Sequence, residues 1–505
     1  LEAKIVKKMK KTQLIILLLI FVGLSSCSKW LDLQPESNID KSILFSTEQG
    51  FKEALLGIYT RAAKTDLYGK ELTVGTPEVL VQNYYISAQD NYKYLPTKNY
   101  KYNDADFMNR KDNIWGGLYN GITNANLILE NIESHKSLFI GDNYNLIKGE
   151  ALALRGYLHF DVLRLFAPSP MINAQADAIP YVTQYSNQTT KLSKVTTVLD
   201  SVINDLEQAK VLLTNDPIRS ASYIVGYPTN TDTLLNSELS NKDLFLQNRR
   251  HRLNYFAVCG ALARVYLYKG DKANALLNAN IVITAKKFPW TNKADAQSTD
   301  PSKKDRILYK EILFGWYIPT LNNAYNSNWF NQDNSGMYLE PSELASIYET
   351  SGTGATDIRY QQWFNVLNVN NTSTGIIVKY RRNSFSDEFD ANLSYMIVPA
   401  IRLSEMYYIV AECTYESNPA EALAFINEVR ANRDLTKTAI PNDKEAFYSL
   451  LLKEYRKETY AEGQLFYAYK RLNRAILGQQ GEIIPPDQKI FVWPLPNDEL
   501  IYGQR

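Results

Sequence analysis

Apolar residues recur at helical spacing along much of this chain. Phe51, Ala54, Leu55 and Ile58 fall at i, i+3, i+4 and i+7, the stripe of a helix buried on one side, and Thr47 stands where an N-cap belongs. Similar patterns predict helices over about 107–133, 143–166, 195–213, 247–269, 272–286, 400–416, 419–432 and 443–476. Between them, 66–104, 214–246, 287–340 and 350–398 are rich in Asn, Tyr, Ser, Thr, Gly and Pro, with period-two patches such as 375–380. Loops of this length are uncommon unless they have a task. Their aromatic content places them against the helices rather than in linkers.

An internal repeat strengthens the helical reading. Tyr268, Asp271, Ala275 and Leu276 recur as Tyr415, Asn418, Ala422 and Leu423 at a constant offset of 147, each set between two helical patterns. The small alanine permits close helix contact. In the first unit Phe256, Gly260, Ala263 and Leu267 are expected to face Leu276, Ala279 and Ile283; in the second, Leu403, Met406, Tyr407 and Val410 face Ala422, Phe425, Ile426 and Val429. Such hairpins, about 34 residues each in tetratricopeptide arrays, must stack to bury both faces. The expected fold is mainly α, a tetratricopeptide-like helical hairpin scaffold with long irregular loops and minor β-hairpins.

The N-terminus carries an export pattern. Lys7, Lys8, Lys10 and Lys11 precede an apolar run over 14–24, and Ser25, Ser26 and Cys27 follow. The run is shorter than the ~20 residues that cross a bilayer as a helix. Residues 1–26 therefore read as a signal peptide, with 1–8 upstream of a start at Met9, and 27–505 as one domain of helical repeats with inserted ligand-binding loops. Leu24-Ser25-Ser26-Cys27 resembles the bacterial lipobox, which makes Cys27 the lipid-attachment residue. Acyl chains contribute ~0.8 kcal/mol per buried methylene, so two or three of them anchor a soluble body. Cys259 and Cys413, each in an apolar helical pattern, read as small buried hydrophobes.

Charge and composition narrow the function. The 55 Lys and Arg balance 54 Asp and Glu across 505 residues, a net of +1 that argues against a nucleic-acid partner. Beside 35 Tyr and 7 Trp stand only 3 Cys and 3 His, many rings for stacking and little for metal or imidazole chemistry. No His-Glu-x-x-His, Gly-x-Ser-x-Gly or phosphate-loop motif occurs. No catalytic residue, metal or cofactor is expected. Asp387, Glu388 and Asp390 read as a solvated acidic loop, Arg249, Arg250 and Arg252 as a solvated basic face, and His159 as a structural histidine. Glu405 and Glu412, two turns apart on one helix, call for structural partners such as Arg430 or Arg456.

A set of ordered motifs completes the sequence reading. Cys27 is followed by Trp30-Leu31-Asp32 and Pro35, then Thr47-Glu48 and Ala54-Leu55-Leu56-Gly57-Ile58-Tyr59. Further on come Arg155-Gly156-Tyr157-Leu158-His159-Phe160-Asp161, Ile401-Arg402-Leu403-Ser404-Glu405-Met406, Ala411-Glu412, Glu462-Gly463 and Lys470-Arg471. With a closing segment over 491–496, this order resembles the SusD/RagB outer-membrane lipoproteins of Bacteroidota across nearly the whole mature chain. Leu465, Ala468, Ala167 and Tyr502-Gly503 depart from the family pattern at positions that read as structural. The resemblance implies a cell-surface lipoprotein of the bacterial outer membrane that binds an oligosaccharide and delivers it to a SusC-like TonB-dependent transporter. A peptide-capture protein of the RagB kind is the alternative, and a surface glycoside hydrolase a more distant one. Excess positive charge around the pocket, or a shallow site without stacked rings, would favour the peptide.

The candidate ligand-binding residues lie in two ring-rich loops. Trp316, Tyr317, Tyr325, Trp329 and Phe330 sit among Asn322, Asn323, Asn326, Asn328 and Asn331. Asn83, Tyr84, Tyr85 and Tyr92 form the second group. Rings cover the apolar faces of pyranoses, and amides both donate to and accept from hydroxyls.

Overall fold

The computed structural model describes residues 41–503 apart from 229, 301–302, 322–324, 326–328, 330–335, 370–371 and 382–395. It divides into two compact units, Leu1–Thr47 and Glu48–Arg505. In the described part of the first, a one-turn helix spans Lys41–Leu44, and the Ser46 hydroxyl donates to the Ile43 carbonyl at 2.7 Å. Cys27 and the signal segment lie outside the described residues.

The second unit is mostly helical, as the sequence predicts. It opens with α1 (Glu48–Ala62), α2 (Ala105–Ile132), α3 (Asn143–Phe166) and α4 (Val195–Leu212). The hairpin α5 (Tyr255–Lys269) and α6 (Lys272–Ala285) follows, then strand β1 (Ile312–Tyr317) and α7 (Pro341–Tyr348). Strands β2 (Phe364–Val369) and β3 (Thr372–Ile377) form a hairpin, and β4 (Ile397–Arg402) leads into α8 (Leu403–Thr414). Helices α9 (Pro419–Ala431), α10 (Lys444–Glu458) and α11 (Leu465–Leu472) complete the scaffold. Each helix from α1 to α5 packs on the next, α6 packs on α8, and α8 on α9. Helix α3 lies deepest, buried on all sides, which accounts for a sequence apolar around most of its circumference.

The two repeat hairpins share their turn chemistry. Gly270 ends α5 at φ 91°, a left-handed cap that a residue without Cβ adopts at little cost. Asp271 then accepts from the Asn274 N–H at 3.1 Å to start α6, and Asn418 accepts from the Glu421 N–H at 3.2 Å to start α9. Ala275 and Ala422 are both fully buried at the helix contacts. One expected face differs: a Cβ on Gly260 would meet Ile401 at 2.8 Å and Leu313 at 3.2 Å, so this glycine admits β1 and β4.

Three further differences have physical causes. The predicted helix over 247–269 begins only at Tyr255, because Asn248 is left-handed at φ 48° and Asn254 caps the helix through the Ala257 N–H at 3.0 Å. The basic run before it is not a solvated face. Arg249 and Arg250 are fully buried and Arg252 nearly so, since Glu150 and Asp216 bind Arg249 at 2.6 and 2.7 Å and Glu238 binds Arg250 at 2.6 Å. The helix predicted over 443–476 is broken between α10 and α11, where Ala461 and Gly463 take φ of 63° and 72°. A Cβ at Gly463 would lie 2.2 Å from the Leu72 carbonyl oxygen, so only glycine fits. Glu405 and Glu412 do find structural partners, but these are Arg264 and Arg471, both at 2.6 Å.

Among the described residues no helix is long and apolar enough to cross a membrane.

Candidate ligand-binding site

Strand β1 sets the geometry of the site through its period of two. It pairs antiparallel with β4, Trp316 opposite Val398 and Tyr317 opposite Ile397. Adjacent residues on a strand point to opposite faces. Trp316 is 1% exposed, stacked on Tyr68 at 4.2 Å and 13°, with Phe314 edge-on at 4.7 Å. Tyr317 is 44% exposed and lies nearly parallel to His251, their ring centroids 5.9 Å apart and their planes 8° from parallel.

Trp316 and Tyr317 both line a cleft of about 920 Å³ between α1, the segment 242–252 and the end of β1, Tyr317 as its exposed ring. Leu56, Tyr59 and Thr60 line it from α1, Leu244, Phe245, Asn248 and His251 from the segment, and Pro319 and Thr320 beyond the strand. Its volume lies within the range of sites that enclose a small molecule. Within the segment Asp243 caps a short turn through the Phe245 N–H at 2.9 Å, and its other oxygen binds Lys52 at 2.9 Å. Lys52 also reaches Glu48 at 2.8 Å and sits 5.0 Å over the Phe245 ring, which ties the segment to α1. Burial, with Arg250 and Arg252 beside it, lowers the His251 pKa to about 3. The imidazole is therefore neutral at physiological pH, and its Nε2 lies 2.8 Å from the Tyr309 hydroxyl.

The other candidate residues gather elsewhere. Tyr92 and Trp329 meet at 5.4 Å, and Tyr94 closes edge-on against Trp329 at 4.9 Å. Trp329 is 1% exposed, with the Lys70 ammonium 4.9 Å over its ring. Tyr325 is fully buried, its hydroxyl 2.8 Å from Thr73. Tyr84 and Trp329 line a cavity of only about 10 Å³. Half-buried Tyr85 packs on Tyr338 at 4.6 Å across a two-residue strand pair. Asn83 is buried and spoken for, donating to Glu78 at 2.6 Å and accepting from Arg456 at 3.0 Å. Phe330, the neighbouring asparagines and the acidic cluster of Asp387, Glu388 and Asp390 lie outside the described residues.

Comparison with known proteins sets this chain in a family. A family model described as starch-binding associating with outer membrane matches residues 29–226, and a SusD family model matches residues 324–495. The chain belongs to the SusD/RagB family. SusD-like protein P38 of Formosa agariphila is 22% identical over 97% of this chain and 96% of its own. SusD-like protein P25 of the same organism is 20% identical over 85% of this chain and 83% of its own. Among solved structures, a SusD superfamily protein from Bacteroides thetaiotaomicron superposes with a TM-score of 0.69 at 21% identity, covering 91% of this chain and 98% of its own. A SusD-like carbohydrate binding protein from Bacteroides vulgatus also gives 0.69, at 16% identity, covering 91% of this chain and 97% of its own. These likenesses establish the SusD fold, mostly helical with small sheets.

Within this SusD-like fold the family motifs acquire physical roles. Glu462 is the buried partner of Arg402 and of Lys379, the latter at 2.6 Å, which joins the Glu-Gly pair to the end of β4. His159 accepts the Val182 N–H at Nε2, 2.9 Å, while Nδ1 lies 2.9 Å from the Arg155 carbonyl. Burial lowers its pKa to about 3, so it is a neutral structural imidazole. Sequence reasoning missed the wall formed by 242–252. A signal was present in the Asp243 cap followed by Phe245 and the basic run, but nothing local shows that α1 lies opposite.

Proposed function

We propose that this SusD-like protein captures an oligosaccharide in the cleft beside Tyr317 and passes it to a SusC-like TonB-dependent transporter, without chemistry of its own. One observation carries the reading: the most exposed ring of β1 stands, backed by the neutral His251 ring, at the edge of a 920 Å³ cleft. A neutral ring pair covers the apolar face of a pyranose at little desolvation cost. Asn248, Gln247 and Thr320 supply amide and hydroxyl groups around it. Glycoside hydrolysis uses two carboxyl groups across the scissile bond. Among the described residues lining the cleft, Asp243 is the single carboxylate, and it is bound to Lys52.

The same reading places the protein at the cell surface. The family description carries outer-membrane association. A lipid on Cys27 supplies the anchor in this proposal. Half-buried Tyr92 and Tyr85 remain further ring candidates for the ligand, whereas Trp329, 1% exposed, is a packing ring. The test is a glycan and peptide array with the purified protein, followed by calorimetry of Tyr317→Ala against whatever binds. Loss of glycan binding in this variant upholds the cleft; full retention removes it. Recovery of a large β-barrel protein in a pull-down from solubilised outer membranes tests the transporter.

A further inference from the structure

We propose that the ligand of this cleft is an anionic saccharide, one bearing carboxylate or sulfate groups. The proposal rests on the cleft being a saccharide site, and it adds the charge of what enters.

The free charge facing the cleft is positive. Lys52, Lys64, Lys242 and Arg252 line it, against Asp243 alone among the carboxylates of the described lining. Asp243 is committed to Lys52 and to the Phe245 N–H, and Glu48 is committed to the same lysine. Lys64 and Lys242 are exposed, and neither has a carboxylate within ion-pair distance among the described residues. At the base, Arg252 is 5% exposed and stacks 4.0 Å over Phe245. Its Nη1 makes no hydrogen bond and stands 3.6 Å from Glu150, a carboxylate already held by Arg249 and Tyr59. A buried guanidinium short of a hydrogen bond gains when an anion reaches its field. The Oδ1 of Asn248 beside it is also buried without a partner, ready for a hydroxyl.

Ring and charge together select the ligand class. Lysines alone would suit any anion, but Tyr317 over His251 supplies a neutral flat surface at the same mouth. A polyanion without apolar faces leaves that surface unused, and a neutral glycan leaves Lys64, Lys242 and Arg252 unused. A sugar with carboxylate or sulfate groups uses both. By the sequence criterion this excess of positive charge favours a peptide; what favours a saccharide instead is the exposed Tyr317 ring parallel to His251, and an acidic peptide is the competing outcome.

The test uses the purified protein on an array of anionic glycans, each printed beside its neutralised counterpart. Carboxyl reduction serves for uronates and desulfation for sulfate esters, so the two sources of charge are separate arms. The expected result is binding to one or more anionic members, at least about tenfold weaker for the neutralised backbone, a difference of 1.4 kcal/mol. A Lys64→Ala/Lys242→Ala double variant, both positions at the surface, should lose several-fold affinity for the anionic member and little for the neutral one. Rising salt should do the same, since exposed charges are screened beyond ~8 Å at physiological ionic strength. Equal binding of charged and neutral backbones, both lost in Tyr317→Ala, overturns the anionic proposal and leaves the saccharide site standing. Tighter binding of an acidic peptide than of any glycan overturns it in favour of the peptide. If no glycan binds, the saccharide reading and this proposal fall together.

Discussion

The carboxylate of Glu78 accepts the backbone N–H of Gly463 at 2.8 Å, across 385 residues of sequence. It accepts the Ala461 N–H as well, at 3.0 Å, and the Asn83 amide at 2.6 Å. One buried side chain from the N-terminal part thus holds the break between α10 and α11, where the backbone turns left-handed and cannot satisfy its own donors. Glu462, next to the glycine, is at the same time bound by Arg402 and Lys379.

This arrangement predicts a pH effect. Burial raises the Glu78 pKa to about 7, against the hydrogen bonds from Asn83, Gly463 and Ala461, which lower it. The folded state then binds a proton more tightly than the unfolded chain, and the Glu78 contribution to stability falls as pH rises from about 4.5 to about 7. His159 and His251, both lowered, work in the opposite sense, adding stability as pH rises from about 3 towards 6.5. The difference between wild type and Glu78→Gln isolates the first effect. Urea denaturation from pH 5 to pH 8 should show the wild type losing stability relative to the variant as pH rises. Parallel curves would show that Glu78 titrates alike in both states.

A second prediction concerns the buried ion cluster. Arg433 is fully buried and binds Glu311 at 2.5 Å and Glu458 at 2.6 Å, while Arg359 binds Glu458 at 2.8 Å and Asp357 at 2.7 Å. Removing one partner leaves the others as uncompensated charge, which costs about 3–5 kcal/mol. Arg433→Met should therefore destabilise strongly, although it keeps an unbranched apolar stem. A denaturation midpoint within error of wild type would mean that water reaches Glu311 and Glu458.

The repeat hairpins give a third. Ala275 and Ala422 are fully buried where α5 meets α6 and α8 meets α9. Overpacking such a contact typically costs about 1–3 kcal/mol. Ala275→Trp and Ala422→Trp should each lower the melting temperature, and a change in neither would remove the close-packed hairpin.

These elements differ in how far the sequence reveals them. The span 143–166 is legible because its signal, apolar periodicity, is local; Asp271 and Asn418 stand out only as matched repeat positions, and the structure gives them their role as helix caps. The burial of Arg249 and Arg250 is not legible, because Glu150, Asp216 and Glu238 come from separate stretches of chain. The break at Gly463 is hidden for a like reason, since its steric partner is Leu72. Composition singles out the rings of β1, but only the distant Tyr68, Tyr157 and Tyr59 decide which face of the strand is core.

Anchoring at Cys27 gives a fourth prediction. With lipid attachment as the anchor, Cys27→Ala should move the protein from the membrane fraction to the soluble one. Retention after a high-salt wash would assign the anchor to another segment.

Trp316 and Tyr317 give the sharpest contrast, because they are adjacent in sequence and opposite in environment. Trp316 packs on Tyr68, Phe314, Tyr59 and Tyr157, so Trp316→Ala opens a hole in the core and should cost about 3–5 kcal/mol of stability. Tyr317 is 44% exposed, so Tyr317→Ala should leave stability nearly unchanged. In binding Tyr317 is expected to matter more, since it exposes 44% of its surface to the cleft that Trp316 reaches with only 1%. If a pyranose stacks on Tyr317, the ring supplies on the order of 1 kcal/mol beyond burial, by analogy with aromatic pairs, and its removal should weaken glycan binding several-fold. Calorimetry and thermal melting on the two variants, side by side, separate a binding ring from a structural one. Unchanged affinity in a well-folded Tyr317→Ala variant would move the binding surface to the half-buried Tyr92 and Tyr85.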